Sequence, residues 1–335
     1  GSLLLGPRAD RHPRPLALYA RLEAGIALSA AASPLLLALA RAAYLGLGGS
    51  LALGDALSTL VRLALSALVL LVPTVLMGGT LPAAAREAEG EGDARRRSTA
   101  LLYGANTLGA VTGALVATFW GFERLGNRGT LLAACAVNLA VAAAAFALAR
   151  TRAVDADGPG AASDAAQDVG PAAPRRFVLA ACGVVGFAFF LLELVWYRML
   201  SPLLGGTVFT FGLILAIALA GIALGGLAYA FAGRERPATL TTFAATCLLE
   251  AVAVAAGFAL GDRLALLAVL LRPLGQVAFA GPVLGWSLVT AVVVLPPALV
   301  AGYQYPLLIA LLGRGRAHVG RDVGWATASN TAGAV

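Results

Sequence analysis

Eight stretches of this sequence are each about twenty residues long, apolar and poor in charge. That succession constrains the fold more than any other feature. The stretches lie at 17–39, 59–82, 99–120, 129–149, 177–199, 206–231, 238–261 and 284–312, and a further one begins near 324. A run of about 20 apolar residues is what a helix needs to cross the hydrocarbon core of a bilayer. Lipid leaves a free backbone amide without a partner, so helices are expected, and the alternation of a membrane β-barrel is absent. Hydrophobic residues make up 60% of the chain and charged residues 12%, against about 25% charged in a soluble domain. The expectation is an all-α integral membrane protein, a polytopic helical bundle in contact with the lipid bilayer. Residues 264–282 are also apolar, but Arg272 and Pro273 interrupt them. They are expected to form an outer-surface or re-entrant piece.

The basic residues give the threading. All 24 are Arg, and sixteen of them fall in alternate loops. These are Arg8, Arg11 and Arg14; Arg86 and Arg95 to Arg97; Arg150, Arg152, Arg175 and Arg176; Arg234 and Arg236; and Arg314, Arg316 and Arg321. Positive loops face the cytoplasm, so the net charge of +7 is read as topology and implies no nucleic-acid partner. The 86–97 loop, "REAEGEGDARRR", changes sign from acidic to basic and is expected to be solvated. Trp120, Trp196, Trp286 and Trp325 stand near the ends of runs, where interfacial anchors are found.

The chain also repeats itself. Pro73 and Pro297, Gly78 and Gly302, Pro82 and Pro306, and Asn106 and Asn330 are all 224 positions apart. Pro13 and Pro237, and Gly1 and Gly225, keep the same offset. One offset held without a gap reads as a duplication. Arg-rich loops map onto Arg-rich loops, so the halves are expected to be parallel repeats about an axis along the membrane normal. Each complete repeat would hold six spans. The sequence then reads as a fragment of a 6+6 arrangement. Residues 1–150 would be spans three to six of the first repeat, and 177–335 spans one to five of the second, the last one incomplete. Between them, 151–176 is rich in Ala, Gly, Pro and Asp and is expected to be a flexible cytoplasmic linker.

Six plus six parallel spans with a long central loop resemble the major facilitator superfamily. "GPRADRHPR" at 6–14 resembles that superfamily's loop between spans two and three. Asp10 and Arg11 match it, and Pro13 stands where a second Gly is expected. The role implied is a charge clasp on a neighbouring helix end that locks one state of a rocking bundle; a plain positive loop is the other reading. A narrower resemblance runs over nearly the whole chain. "LLELVWYRMLSPLLGGTVFTFGLILAIALAGIALGGLAYAFAGR" at 191–234 is similar to the first two spans of the membrane-bound spermidine-synthase-like family. "LMGGTLPAAAR" and "LYGANTLGAVTGAL" resemble its later spans. In that family a major-facilitator-like membrane region precedes a soluble aminopropyltransferase-like domain. The resemblance implies that such a domain is a partner in the same parent chain, and that a polyamine or other small cation is a ligand. It implies a plasma membrane, the bacterial inner one, as the setting. No residue here can be assigned to aminopropyl transfer, and no cofactor is implied. The function implied is to anchor that domain and to move the polyamine or related cation; an ordinary secondary transporter without an enzymatic domain is the alternative, and a bundle that is only an anchor is a third reading.

Polar groups inside the runs are the candidate site. A carboxylate at mid-bilayer costs about 2.5–3.5 kcal/mol on insertion scales and is a functional candidate by default. Glu250 lies at the centre of its run and Glu193 in the outer third of its own. Each reads either as a cation or proton site or as an architectural hydrogen bond. Pro296 and Pro297 are expected to break the 284–312 helix and free carbonyls near Gly302, Tyr303 and Gln304, since broken helices line transporter sites. Tyr303 and Gln304 have no counterpart in the first repeat, which makes them substrate-site candidates. Asn106 shares a helical face with Gly109 and Gly113, a small-residue pair that lets helices approach; Asn330 repeats it with Gly333. These are expected to be structural. Cys135, Cys182 and Cys247 read as small core residues, and His12 and His318 have no partner at metal-ligand spacing.

Overall fold

The computed structural model describes residues 1–89, 96–156, 173–232, 238–276, 280–313 and 318–335, with 152–156 as backbone only. Most of the expected linker lies outside the described residues, as do Arg95, Arg234, Arg236, Arg314 and Arg316. The described residues form helices and no strand. They are α1 (Ser2–Arg11), α2 (Pro15–Gly46), α3 (Gly49–Ala88), α4 (Arg97–Val116), a π turn (Ala117–Gly121), α5 (Phe122–Ala156), α6 (Arg175–Leu204) and α7 (Val208–Phe231). Then follow α8 (Leu240–Ala259), α9 (Asp262–Leu271), a 3-10 turn (Arg272–Gln276), α10 (Ala280–Leu312) and α11 (Val319–Ala334).

Among the described residues, seven helical runs are long and apolar enough to cross a membrane. The longest, Arg97–Thr151, has 55 residues, about twice what one crossing needs. Gly126 divides it, with φ 64° and ψ 179° inside α5. A residue with a Cβ would be strained at that φ, and glycine is not. Gly54 makes the same break in α3, with φ 68° and ψ 175°. The 264–282 stretch folds as the ten residues of α9 and the 3-10 turn, both packed back on α10. Ten helical residues rise about 15 Å, half a bilayer core.

Packing concentrates in the second half. At the Arg-rich ends, Leu307, Leu308 and Ile309 of α10 bury against Val178 and Cys182 of α6, Tyr229 of α7 and Val323 of α11. At the opposite ends, Trp196, Leu200 and Leu204 of α6 pack with Ile214, Leu264, Val289 and Val293. The first half has a smaller centre at Ala9, Leu22 and Ala83. Helices close on one another through glycine. A Cβ at Gly225 would overlap the Leu299 carbonyl of α10, and one at Gly302 would overlap Ile222 of α7. The same offset recurs in space: Gly1 sits on the Val75 carbonyl as Gly225 sits on that of Leu299. Helix α4 packs on α7, and α11 packs on α1.

Several expectations are corrected. The helix α10 runs unbroken through Pro296, Pro297 and Pro306. Each proline removes one amide donor, but close neighbours hold the backbone, and such prolines are tolerated in membrane helices for that reason. Pro297, Ala298, Val300 and Ala301 are all buried, and Ala298 meets Gly221 of α7. Trp196 is 3% exposed and stacks edge-on with Phe189 at 5.8 Å, so it is core rather than an interfacial anchor. Asn106, Gly109 and Gly113 lie on an exposed face, and a Cβ at either glycine would meet nothing. No helix packs on that face among the described residues. Its counterpart does pack: a Cβ at Gly333 would overlap Gly183 of α6, and the Asn330 Nδ2 donates to the Cys182 carbonyl at 3.2 Å. Cys135 and Cys182 are buried as expected, whereas Cys247 is exposed.

Candidate functional site

Two polar centres stand out, one at the Arg-rich helix ends and one inside the second half. The first begins with Asp10. It lies at the end of α1, which packs along α11, and that contact is close because Gly6 lies against the Gly320 carbonyl. The Asp10 carboxylate accepts from the Gly320 amide at 2.7 Å and the Arg321 amide at 2.8 Å. Those amides belong to the first turn of α11, where no intrahelical acceptor exists and the helix dipole favours an anion. Burial pushes the Asp10 carboxyl above the usual carboxylate range, against the pull of the two amides. Asp10 thus ties α1 to the first turn of α11. Arg11 is exposed and takes no part in it.

Beside it lies a buried ionic group that the sequence did not announce. Arg96 precedes α4 with φ 53°, and its side chain is 1% exposed. Its Nη2 is 3.0 Å from the Asp322 Oδ2, and its Nε donates to the Gly313 carbonyl at 3.1 Å. The Arg175 Nη1 is 2.9 Å from the other Asp322 oxygen. Glu89 closes the group: its Oε1 lies 3.9 Å from Arg96, and its Oε2 accepts from Thr99 at 2.8 Å. Asp322 is thus gripped by two guanidiniums, one from the start of α4 and one from the start of α6. Arg97 adds a bond from Nε to the Ala230 carbonyl of α7 at 3.1 Å. Charge-assisted bonds of this kind are the strong ones. Together with the Asp10 bonds they connect the Arg-rich ends of α1, α3, α4, α6, α7, α10 and α11.

Residues 90–95 of the 86–97 loop lie outside the described residues; at their two edges Glu89 and Arg96 are buried rather than solvated. One signal was there to be read. Asp322 is the single acid after Asp262, and it stands next to Arg321 in an otherwise basic loop.

The second centre joins two of the expected residues. The Gln304 Nε2 on α10 donates to the Glu250 Oε2 on α8 at 2.9 Å. Gln304 is fully buried, and its Oε1 has no hydrogen-bond partner among the described residues. The Cys247 Sγ lies 3.9 Å from the same amide. The carboxylate and the unpartnered amide oxygen are both acceptors, which suits a cation or a proton. Tyr303, one residue away, points elsewhere. It meets Tyr229 edge-on at 5.1 Å and lines a groove between α8 and α10 with Thr242, Thr246 and Leu249. Glu193 is half-buried and joins neither centre; no hydrogen bond or ion pair reaches it among the described residues.

A third feature lies where the halves meet. A cavity of about 140 Å³ opens between α4, α6, α7, α10 and α11, lined by Tyr103, Phe189, Ile222, Tyr305 and Asn330 among others. Tyr103 and Tyr305 lie with ring centroids 4.7 Å apart. The Tyr305 hydroxyl is 2.6 Å from that of Thr327, the residue 224 positions after Tyr103. Neither tyrosine stands out in the sequence, because a lone tyrosine in an apolar run reads as packing. Compared with protein-family models, with curated proteins and with solved structures, the chain shows no significant match.

Proposed function

We propose that this chain is the membrane region of a two-halved, major-facilitator-like carrier for a small organic cation, in a state closed at its Arg-rich end. The observation that carries the reading is Asp322. It is held between Arg96 at 3.0 Å and Arg175 at 2.9 Å, so breaking one buried cluster would free helices of both halves together. The matched contacts Gly1 on Val75 and Gly225 on Leu299 support two parallel repeats of six spans each. In this reading the Arg-rich end is cytoplasmic. Glu250 with Gln304 is the cation site, and Tyr303 and Glu193 have no part in it. The resemblance to the spermidine-synthase-like family supplies the substrate class, a polyamine. It also adds a second role, the anchoring of a soluble aminopropyltransferase-like domain.

The test is binding of spermidine and putrescine to the purified full-length protein and to its Glu250→Gln variant, measured by calorimetry. Losing the carboxylate should weaken spermidine by about tenfold or more, since a charge-assisted contact is worth about 1.5–3 kcal/mol. Equal affinity in the two proteins would remove Glu250 from any cation site. Uptake of a different cation by proteoliposomes would favour a carrier that has no enzymatic role.

A further inference from the structure

We propose that the chain carries a binding site for an anionic phospholipid headgroup between α2, α5 and the turn that joins α1 to α2. A cavity of about 620 Å³ opens there, lined by His12, Pro13, Arg14, Ala17, Arg21, Phe146, Ala149 and Arg150. Three arginines line one space, and among the described residues no acidic one does. Neutralising three positive charges calls for an anion, and the place says which kind. Arg14 and Arg150 bracket the apolar runs of α2 and α5, at 17–39 and 129–149. They therefore stand at the boundary between hydrocarbon and water, where lipid phosphates lie. All three arginines are exposed, so a headgroup can reach them.

The site is also partly built. Phe146 holds the Arg150 guanidinium at 4.5 Å from its ring centroid, which orients it at little entropic cost. The Arg14 amide donates to the His12 Nδ1 at 3.1 Å and sets the turn. Arg14 is also the N-cap of α2, with no side chain capping that end, so the positive end of the helix dipole adds to the field. The repeat provides a control. At the offset of 224, Ala238 and Ala245 stand where Arg14 and Arg21 do. The counterpart of α2, α8, forms without these two charges, so they are not needed to make that helix. Basic pockets between membrane helices recognise phosphate headgroups in this way.

The experiment places the purified full-length protein in nanodiscs of neutral phosphatidylcholine. It then titrates phosphatidylglycerol or cardiolipin and reads bound lipid by native mass spectrometry and stability by thermal unfolding. Anionic lipid should be retained and should raise the unfolding temperature. The triple variant Arg14→Ala, Arg21→Ala, Arg150→Ala should lose affinity by about 100-fold. The matched loss at the other end, Arg124→Ala with Arg128→Ala, should leave it unchanged. A triple Lys variant keeps the charge and should retain most of the binding; it serves if the Ala triple fails to fold. Equal retention by the Ala triple and the parent would overturn the site. So would stabilisation by inorganic phosphate alone to the same extent as by lipid, which would mean a soluble anion. The outcome does not depend on whether the protein transports a cation.

Discussion

Helices α3 and α10 carry matching residues but pack differently. They share Pro73 with Pro297, Gly78 with Gly302 and Pro82 with Pro306 at one offset. Yet 6% of the apolar window of α3 is buried, against 44% of that of α10. The sequences do not explain so large a gap, since both windows are strongly apolar. The neighbours differ: among the described residues α10 packs on α6, α7 and α8, and α3 on α1, α2 and α11. Lipid tails are as apolar as leucine, so burial in a bilayer follows from close packing and not from hydropathy. The same holds for α4 and α11. Both present Asn and small residues, but among the described residues only α11 has a helix, α6, against that face.

The largest break in this comparison should come from the group that ties the halves together. Arg96→Ala leaves Asp322 and Glu89 with less countercharge in a buried place. Removing one member of a buried pair costs about 3–5 kcal/mol. Thermal unfolding in detergent should show it, and proteolysis at the Arg-rich loops should speed up. A loss below about 1 kcal/mol would mean that water already screens the cluster.

A smaller effect should separate the two seams. Gly302→Val forces a side chain into the backbone of α7, where overpacking costs about 1–3 kcal/mol. Gly78→Val meets the backbone of Gly1 and Ser2 less closely than Gly302 meets that of Ile222. The Gly302 variant should be the less stable of the two by chemical denaturation. Equal losses would show the two seams to be equally rigid.

The smallest effect tests α4 against α11. Asn330→Ala removes an interhelical hydrogen bond of a kind that averages about 0.6 kcal/mol. Asn106→Ala, on the open face, should change stability by less than that. If the Asn106 variant is the more damaged, that face is covered in the protein as purified, and a crosslink from residue 109 would find what covers it.

Much of the architecture was legible because it follows from composition and period. Runs of twenty apolar residues can only be helices in lipid. Each expected span lies inside an observed helical run or overshoots its ends by no more than two residues. Asp10 was legible through the motif in which it stands. Arg96, Arg175 and Glu89 were not. Each looks like a solvated loop charge, and only the meeting of five helix ends buries the group. Prolines misled in the other direction: Pro296 and Pro297 read as a break, but tight packing on α7 carries the helix through.

By itself, the sequence determined an all-helical chain with apolar helices of membrane length, the Arg-rich and Arg-poor loops, and an offset of 224 between related segments. These are properties of each residue and its near neighbours. The tertiary structure decided which of two equivalent faces is covered and which glycines carry contacts. It also decided that Gln304 rather than Tyr303 meets Glu250, and that Asp322 sits between two arginines. Those outcomes depend on which distant residues arrive at the same place, and no local pattern along the chain encodes that.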